Sequence, residues 1–446
     1  MSIKSLRTRL GVSTCLLAMT AGSVQGATPA SVTATRVSAF LATLGVNAHL
    51  NYNDGAYANV QQAISDLGYL GIRQIRTAVP DPNGGSPNAA YLQSLMTAEN
   101  AGILMDYCVD AHLPLAQTVS QIAAQEAQHP GSTVAVEGPN EVNNSPVSYN
   151  GINDTSNTNV AANAFQKNLY AAVKGNARLA NTAVYYLTGN HSNQPGNPAI
   201  DLGVLRPPIG DAANIHPYPY QGEAPGPRMA GEFVNNFTNP NDVPHVITED
   251  GYFNQPNNPG GSGVDSNTQA KLTLDLLLDA YVQGVSKTYL YQLRSAYSDP
   301  NGNNSDTEYG LFNQDNTPKP VATSIHNLTT VLADPGSPAA AAGFTTGSLA
   351  YSVSSNFPAT GHSTLLQRSD GKFLLVLWAE PTIWNEATHQ PVVGSYPFVT
   401  VSFRSPVAAA ALYDPFKSSA VQRTGYTASS VQVTVSDHPV VYLITQ

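Results

Sequence analysis

Apolar and polar positions change rhythm along the chain. From Thr43 to Leu332 short apolar runs alternate with stretches of helical period. Runs at 44–52, 72–79, 103–109, 133–141, 182–188, 212–218, 245–251 and 288–293 read as strands. Between and after them 57–67, 89–101, 120–129, 161–177, 226–236, 266–282 and 320–332 read as helices. The clearest is 266–282, where Ala270, Leu274, Leu277, Leu278 and Tyr281 recur at helical spacing. Eight strands alternating with helices predict an α/β fold, a parallel (β/α)8 TIM barrel. A doubly wound open sheet is the structural competitor, but its Gly-rich phosphate turn is missing.

Asp334-Pro335-Gly336-Ser337-Pro338 reads as a linker, after which the rhythm shortens. Runs at 348–354, 364–367, 373–379, 398–403, 409–413, 431–435 and 440–444 are β-rich and broken by Asp-Gly, Pro and Ser-rich turns. With no helix-length pattern between them, they predict an all-β sandwich. Residues 31–40 are expected to return and add a strand to it. The expected organisation is a leader over 1–26, a barrel over 27–334 and a sandwich over 335–446.

The leader reading rests on Lys4, Arg7 and Arg9 ahead of an apolar run at 10–21, then small residues near a cut after Gly26. That run falls short of the ~20 residues a membrane span needs. Cys15 lies inside the leader, where the following apolar residues argue against lipid attachment. Cys108 would then be the one thiol of the mature chain, with no internal disulfide to form. The expected location is the periplasm or the medium.

Composition narrows the partners. The 446 residues carry 20 Lys+Arg against 30 Asp+Glu. Without the leader's three basic residues the balance becomes 17 against 30, a net of −13. Such a surface repels nucleic-acid phosphates and anionic membranes, so no nucleic acid and no membrane partner is expected. A neutral ligand suits it better. At 42% hydrophobic and 11% charged, the chain is not a disordered acidic protein.

The chemistry gathers at two strand ends. Strand four closes on Val136-Glu137-Gly138-Pro139-Asn140-Glu141 and strand seven on Thr248-Glu249-Asp250-Gly251. Reactive groups of a (β/α)8 barrel stand at the C-terminal ends of its strands. Two Glu side chains there, with carboxyls ~5–5.5 Å apart, suit hydrolysis with retention at an anomeric carbon, whereas ~6.5–9.5 Å would leave room for water and predict inversion. Like carboxylates so close cannot readily both ionise.

Asn140-Glu141 ending strand four, with Glu249 after strand seven, resembles the pattern of clan A glycoside hydrolases. The resemblance spans the barrel and includes His216-Pro217-Tyr218, Tyr309-Gly310-Leu311-Phe312 and Pro318-Lys319-Pro320. A trailing sandwich is common there, among β-xylosidases, β-glucanases and glucuronidases. The resemblance implies that Glu141 is the acid/base and Glu249 the nucleophile. It implies that Asn140 bonds the sugar 2-hydroxyl, and that Arg76 at the end of strand two holds Glu249 ionised. Tyr218 or His216 is expected to bond Glu249. Strand eight, Tyr289-Leu290-Tyr291-Gln292-Leu293, lacks the Trp that usually floors the sugar site, and Tyr291 is the substitute. His49 and Tyr52 on strand one, with Asp106 and Tyr107 on strand three, are sugar contacts or barrel-layer residues.

Each residue also has a plain structural reading. Glu141 alone is a loop carboxylate, Glu249-Asp250 a helix cap, His216 a buried histidine and Arg76 the partner of a structural acid. Arg73 is expected to face outward, and Trp378, inside an apolar strand, to be core. The run from Asp299 to Asp306 looks like a calcium loop, but its sixth position is Asn304 and its twelfth Gly310, so it reads as a solvent loop. HExxH, paired CxxC, Walker and Gly-x-Ser-x-Gly patterns do not occur, so no metal and no cofactor is expected. The favoured function is an exported retaining hydrolase of β-linked oligosaccharides or polysaccharides. The long loops at 143–159 and 254–265 would build either a cleft or a pocket. A non-catalytic carbohydrate-binding protein and a cell-envelope transglycosylase are the alternatives.

Overall fold

The computed structural model describes residues 28–190, 202, 209–237, 240–255, 257, 263–302 and 304–446. The expected leader lies outside them, as does part of the loop at 254–265. No helix among the described residues is long and apolar enough to cross a membrane.

Eight parallel strands form the first sheet: β1 (Leu44–Asn47), β2 (Gln74–Ala78), β3 (Leu104–Cys108), β4 (Thr133–Glu137), β5 (Ala183–Tyr185), β6 (Ala213–Ile215), β7 (His245–Asp250) and β8 (Val285–Leu290). Neighbours pair in chain order, β8 returns to β1, and a Tyr185–Ala212 bridge joins β5 to β6. The sheet is therefore a closed barrel. Its strands are shorter than the apolar runs suggest, because the chain leaves the ladder before the barrel mouth. Strand four stops at Glu137, so Glu141 stands on the loop beyond it rather than inside the strand.

Seven of the helices cover the barrel wall where periodicity placed them, with shifts of up to five residues at their ends. Helix Ser266–Val282 begins on Asp265, whose carboxylate accepts from the amides of Asn267 and Thr268. Twelve of its residues are buried, far more than one amphipathic face accounts for. The reason is its position: it packs between the barrel and the C-terminal domain.

That domain is a β-sandwich whose strand Phe373–Ala379 is buried on both faces. Leu374, Val376 and Trp378 join the barrel's core, while Phe373, Leu375, Leu377 and Ala379 face the sandwich interior. Two-sided burial explains its unbroken apolar run. The expected strands 398–403 and 409–413 are one strand, Phe398–Asp414. It pairs with Ser348–Val353 through its first half and with Val440–Thr445 through its second, crossing both layers. Its hairpin partner Ser418–Thr434 is mostly exposed and polar, so only its end at 431–435 shows an apolar signal. The expected strand at 31–40 is corrected. Ala30–Thr33 pairs with Ser348–Val353 and Thr35–Arg36 with Gly361–Gln367, but Val37–Leu41 turns into a helix, burying Val37 and Phe40.

Candidate active site

Below the barrel mouth lies a layer of polar side chains rather than aliphatic ones. Arg76 on β2 sits at its centre. Its Nε donates to Glu137 Oε2 at 2.7 Å and its Nη2 to Glu137 Oε1 at 2.9 Å. Nη1 donates to Asn47 Oδ1 at 3.1 Å and also to Glu249 Oε1. Nη2 further reaches Asn140 Oδ1 at 2.6 Å and Cys108 Sγ at 3.3 Å. Asn47 in turn donates to the Thr248 carbonyl at 2.9 Å, tying β1 to β7. Arg73, two and a half strand steps out of phase in expectation, is exposed.

The two carboxylates converge above this layer. Glu141 is 9% exposed and Glu249 8%. One oxygen of each lies within 4.8 Å of the other, and a His216 ring nitrogen lies within the same distance of both. Glu141 holds φ of +42°, a left-handed backbone that a side-chain-bearing residue keeps only when its surroundings fix it. Its amide donates to Thr188 Oγ1 at 3.0 Å, and its Oε2 accepts from Asn190 Nδ2 at 3.0 Å. An Asn190–His216 bridge carries the β5–β6 pairing up to the mouth, which sets both residues beside Glu141.

Of the two expected partners of Glu249, Tyr218 and His216, the histidine bonds Glu141 instead. Its Nδ1 lies 3.0 Å from Glu141 Oε1 and 3.9 Å from Glu249 Oε2. The ring is anchored at Nε2, 3.0 Å from Thr248 Oγ1. Thr248 has a single hydroxyl proton, and both Glu137 Oε1 and Asn214 Oδ1 accept from it at 3.0 Å. The Thr248 oxygen is therefore left to accept from His216 Nε2–H. The ring's Nδ1 faces Glu141 Oε1, so the imidazole and that carboxyl share one hydrogen bond.

Tyr218 does bond Glu249, donating to Oε2 at 2.8 Å. Burial acts to raise the Glu249 pKa, but His216, Arg76 and the Tyr218 hydroxyl outweigh it and pull it down to about 2. The arrangement thus holds Glu249 as an anion, with Glu141 facing it, bonded to His216 and Asn190.

Aromatic rings wall the space above. Tyr291 makes edge contacts with His49 at 5.5 Å, Tyr218 at 6.2 Å and Tyr309 at 5.6 Å. His49 stacks on Tyr52 at 4.5 Å, and burial pulls its pKa down to about 4, so it faces the site as a neutral ring. The loop after β8 brings in Asp306, whose pKa is raised by burial and by the charges of Glu141 and Glu249. Asp106 and Tyr107 are barrel residues: Asp106 is fully buried, and the Tyr107 hydroxyl donates to Glu99. Trp378 is core.

The structure thus brings together Glu141, Glu249, Asn140, Arg76, His216, Tyr218, Tyr291 and His49. Sequence reasoning missed Glu137, Thr248 and Asn190. A charged residue closing the apolar strand Thr133–Glu137 was a signal for the first; a threonine in β7 and an asparagine after β5 carried none.

No protein-family model matches the chain, and no curated protein matches it. Solved structures do. A glycoside hydrolase family 30 subfamily 8 xylanase from Clostridium acetobutylicum aligns over 94% of this chain and 98% of its own, with a TM-score of 0.52 and 12% identity. A monomeric beta-xylosidase from Caulobacter crescentus CB15 gives the same four values. The GH39 enzyme from Xanthomonas axonopodis pv. citri covers 96% and 99%, at 0.51 and 14%. Against a beta-glucuronidase from an uncultured Clostridium sp. (12% identity, TM-score 0.43) the alignment takes in 61% of this chain and spans less than half, 46%, of that longer protein. The resemblance to clan A glycoside hydrolases holds at the level of the fold, a (β/α)8 barrel carrying a C-terminal β-sandwich.

Proposed function

We propose that the chain is an exported glycoside hydrolase that cleaves β-linked oligosaccharides or polysaccharides with retention. The observation that carries this reading is the approach of Glu141 and Glu249 to within 4.8 Å at the C-terminal mouth of the barrel. That gap leaves no room for a water between carboxylate and sugar, and it suits direct attack by one of them. Export is supported by the basic, then apolar, then small-residue order of 1–26.

In the first step Glu249 attacks the anomeric carbon while Glu141 gives its proton to the departing oxygen. In the second, Glu141 takes a proton from water, which displaces Glu249 from the sugar. Arg76 and Tyr218 keep Glu249 ionised. Because Arg76 occupies Asn140 Oδ1, the amide Nδ2 is the group left to donate to the sugar 2-hydroxyl. Tyr291 supplies the apolar face on which a pyranose rests.

The test is a screen on aryl β-glycosides and β-glycans, following the first-formed anomer by proton NMR. A 2-fluoro-glycoside inactivator should label the peptide carrying Glu249. An inverted product, or a label on another peptide, would overturn the reading.

A further inference from the structure

Away from the mouth, a second convergence of ligating atoms spans the two domains. Asp279 comes from the barrel helix Ser266–Val282, while His362 and Glu380 come from the sandwich. Asp279 Oδ, Glu380 Oε and His362 N lie within 4.8 Å of one another. Each carboxylate is already held by its other oxygen. Asp279 Oδ1 accepts from Trp378 Nε1 at 2.9 Å, and Glu380 Oε1 from the Gly226 amide, in the first turn of helix Pro225–Asn236, at 3.1 Å. His362 stacks over the Trp378 ring at 5.4 Å and places Nε2 3.0 Å from Glu380 Oε2. These contacts orient the ligating atoms as outer partners do around a metal.

Two buried atoms mark what is missing. Asp279 is 1% exposed, and its Oδ2 has no N–H or hydroxyl donor beside it; the Asp279 side chain meets the Glu380 carboxyl. Asp275, one helical turn earlier on the same face and equally buried, has an unpartnered Oδ1. Buried carboxylates without donors are costly unless neutralised. Within the triad the His362 ring already faces Glu380.

We propose that Asp279, His362 and Glu380 bind a divalent transition-metal ion, zinc by its ligand chemistry, that clamps the sandwich to the barrel. One imidazole and two carboxylates make a borderline donor set of the kind zinc accepts. Zinc bonds of ~2.0–2.1 Å put neighbouring ligand atoms about 3.3 Å apart, an adjustment of under ~2 Å from the present spread. The ion enters past His362, whose side chain is 28% exposed. The three positions are 83 and 18 residues apart in sequence, so no spacing motif announces them.

The full chain, stripped with chelator, is titrated with zinc chloride by calorimetry and by thermal melting. One equivalent is expected to bind and to raise the melting temperature. Asp279→Asn keeps the acceptor for Trp378 and the side-chain volume, and His362→Ala removes the imidazole. Each is expected to weaken zinc more than tenfold, with circular dichroism confirming the fold. His216→Ala, which breaks the competing cluster at the barrel mouth, should leave that binding unchanged. Absence of binding to the parent chain would overturn the proposal, leaving a shared proton between Asp279 and Glu380. So would zinc that is lost in His216→Ala and kept in Asp279→Asn.

Discussion

Arg76 and Glu137 form a two-point ion pair wholly inside the barrel, and that pair decides where the remaining edge of the guanidinium points. With Nε and one face of Nη2 committed to Glu137, the outward donors fall on Glu249 and Asn140. A single guanidinium thus aligns Glu249, the proposed nucleophile, and the amide beside it. Arg76→Lys cannot reproduce this, since an ammonium is a point charge without a fork. The expected result is a loss in kcat/KM of about 10–100-fold, from one or two charge-assisted hydrogen bonds. The acidic limb should also move to higher pH. Glu249 has its pKa depressed to about 2, and removing part of that pull returns it toward the ordinary value of 4.5. Steady-state kinetics between pH 3 and 7 checks both.

Glu137→Gln is expected to act on stability first. It removes the charge that Arg76 was buried with, and breaking a buried pair from one side costs about 3–5 kcal/mol. Urea denaturation of parent and variant measures it.

Tyr218 and Glu249 make a hydrogen bond of 2.8 Å to an ionised oxygen. Tyr218→Phe keeps the ring against Tyr309, 5.3 Å away, and removes the donor. A bond to a charged group contributes roughly 1.5–3 kcal/mol, so kcat/KM should fall about tenfold or more while the melting temperature stays close to the parent's. Equal loss of both would show that the hydroxyl is structural.

The two glutamates should separate by leaving group. Glu141→Gln removes the proton donor, which contributes about 10²–10⁴-fold when the departing oxygen is basic. On a dinitrophenyl glycoside, whose phenolate leaves unaided, most of that loss should vanish from the first step. Glu249→Ala should be inactive on both substrates. Parallel losses for Glu141→Gln on both substrates would count against the assigned roles.

Much of this site was written at strand ends. Glu141, Glu249 and Arg76 each lie in or just beyond a predicted strand, and the barrel topology converts that position into a place at the mouth. Tyr291, at the end of β8, was legible for the same reason. What stayed hidden depends on pairings between distant strands. Thr248 looks like any β-branched strand residue until His216, Glu137 and Asn214 are set around it, and Asn190 acquires meaning only from the bridge to His216. The choice of His216 for Glu141 over Glu249 turned on the Thr248 anchor, a contact between β6 and β7 that no linear pattern contains. In the sandwich, Phe373–Ala379 was plain because both faces are buried. Most of Ser418–Thr434 was not, because an exposed ribbon needs no apolar alternation.

His438 gives the sandwich a pH dependence of its own. Its Nδ1 lies 2.7 Å from Asp437 Oδ1 and its Nε2 3.1 Å from Asp414 Oδ1. Burial works to lower the His438 pKa, but the two carboxylates outweigh it and the net shift is upward from 6.5. Asp437 and Asp414 move down in return, with burial opposing, through His438 and through Lys271 and Lys417 respectively. A histidine raised on folding stabilises fully below its unfolded pKa and loses that contribution as pH rises through the folded one. The depressed carboxylates stabilise above their unfolded range near 3.8 and lose it as pH falls. The triad therefore contributes most between those limits, around pH 5–6. Buried Asp275 and Asp279, whose pKa values burial pushes up, contribute a separate dependence as they lose protons. The informative quantity is then the difference between the parent and His438→Gln, in which those groups cancel. Thermal melts at pH 5.5 should show the variant less stable by about 1.5–3 kcal/mol, the worth of a hydrogen bond to a charged group. As pH rises past the parent's His438 titration the two curves should draw together. A gap that stays constant from pH 5.5 to 9 would mean that His438 acts through packing against Phe416 and not through charge.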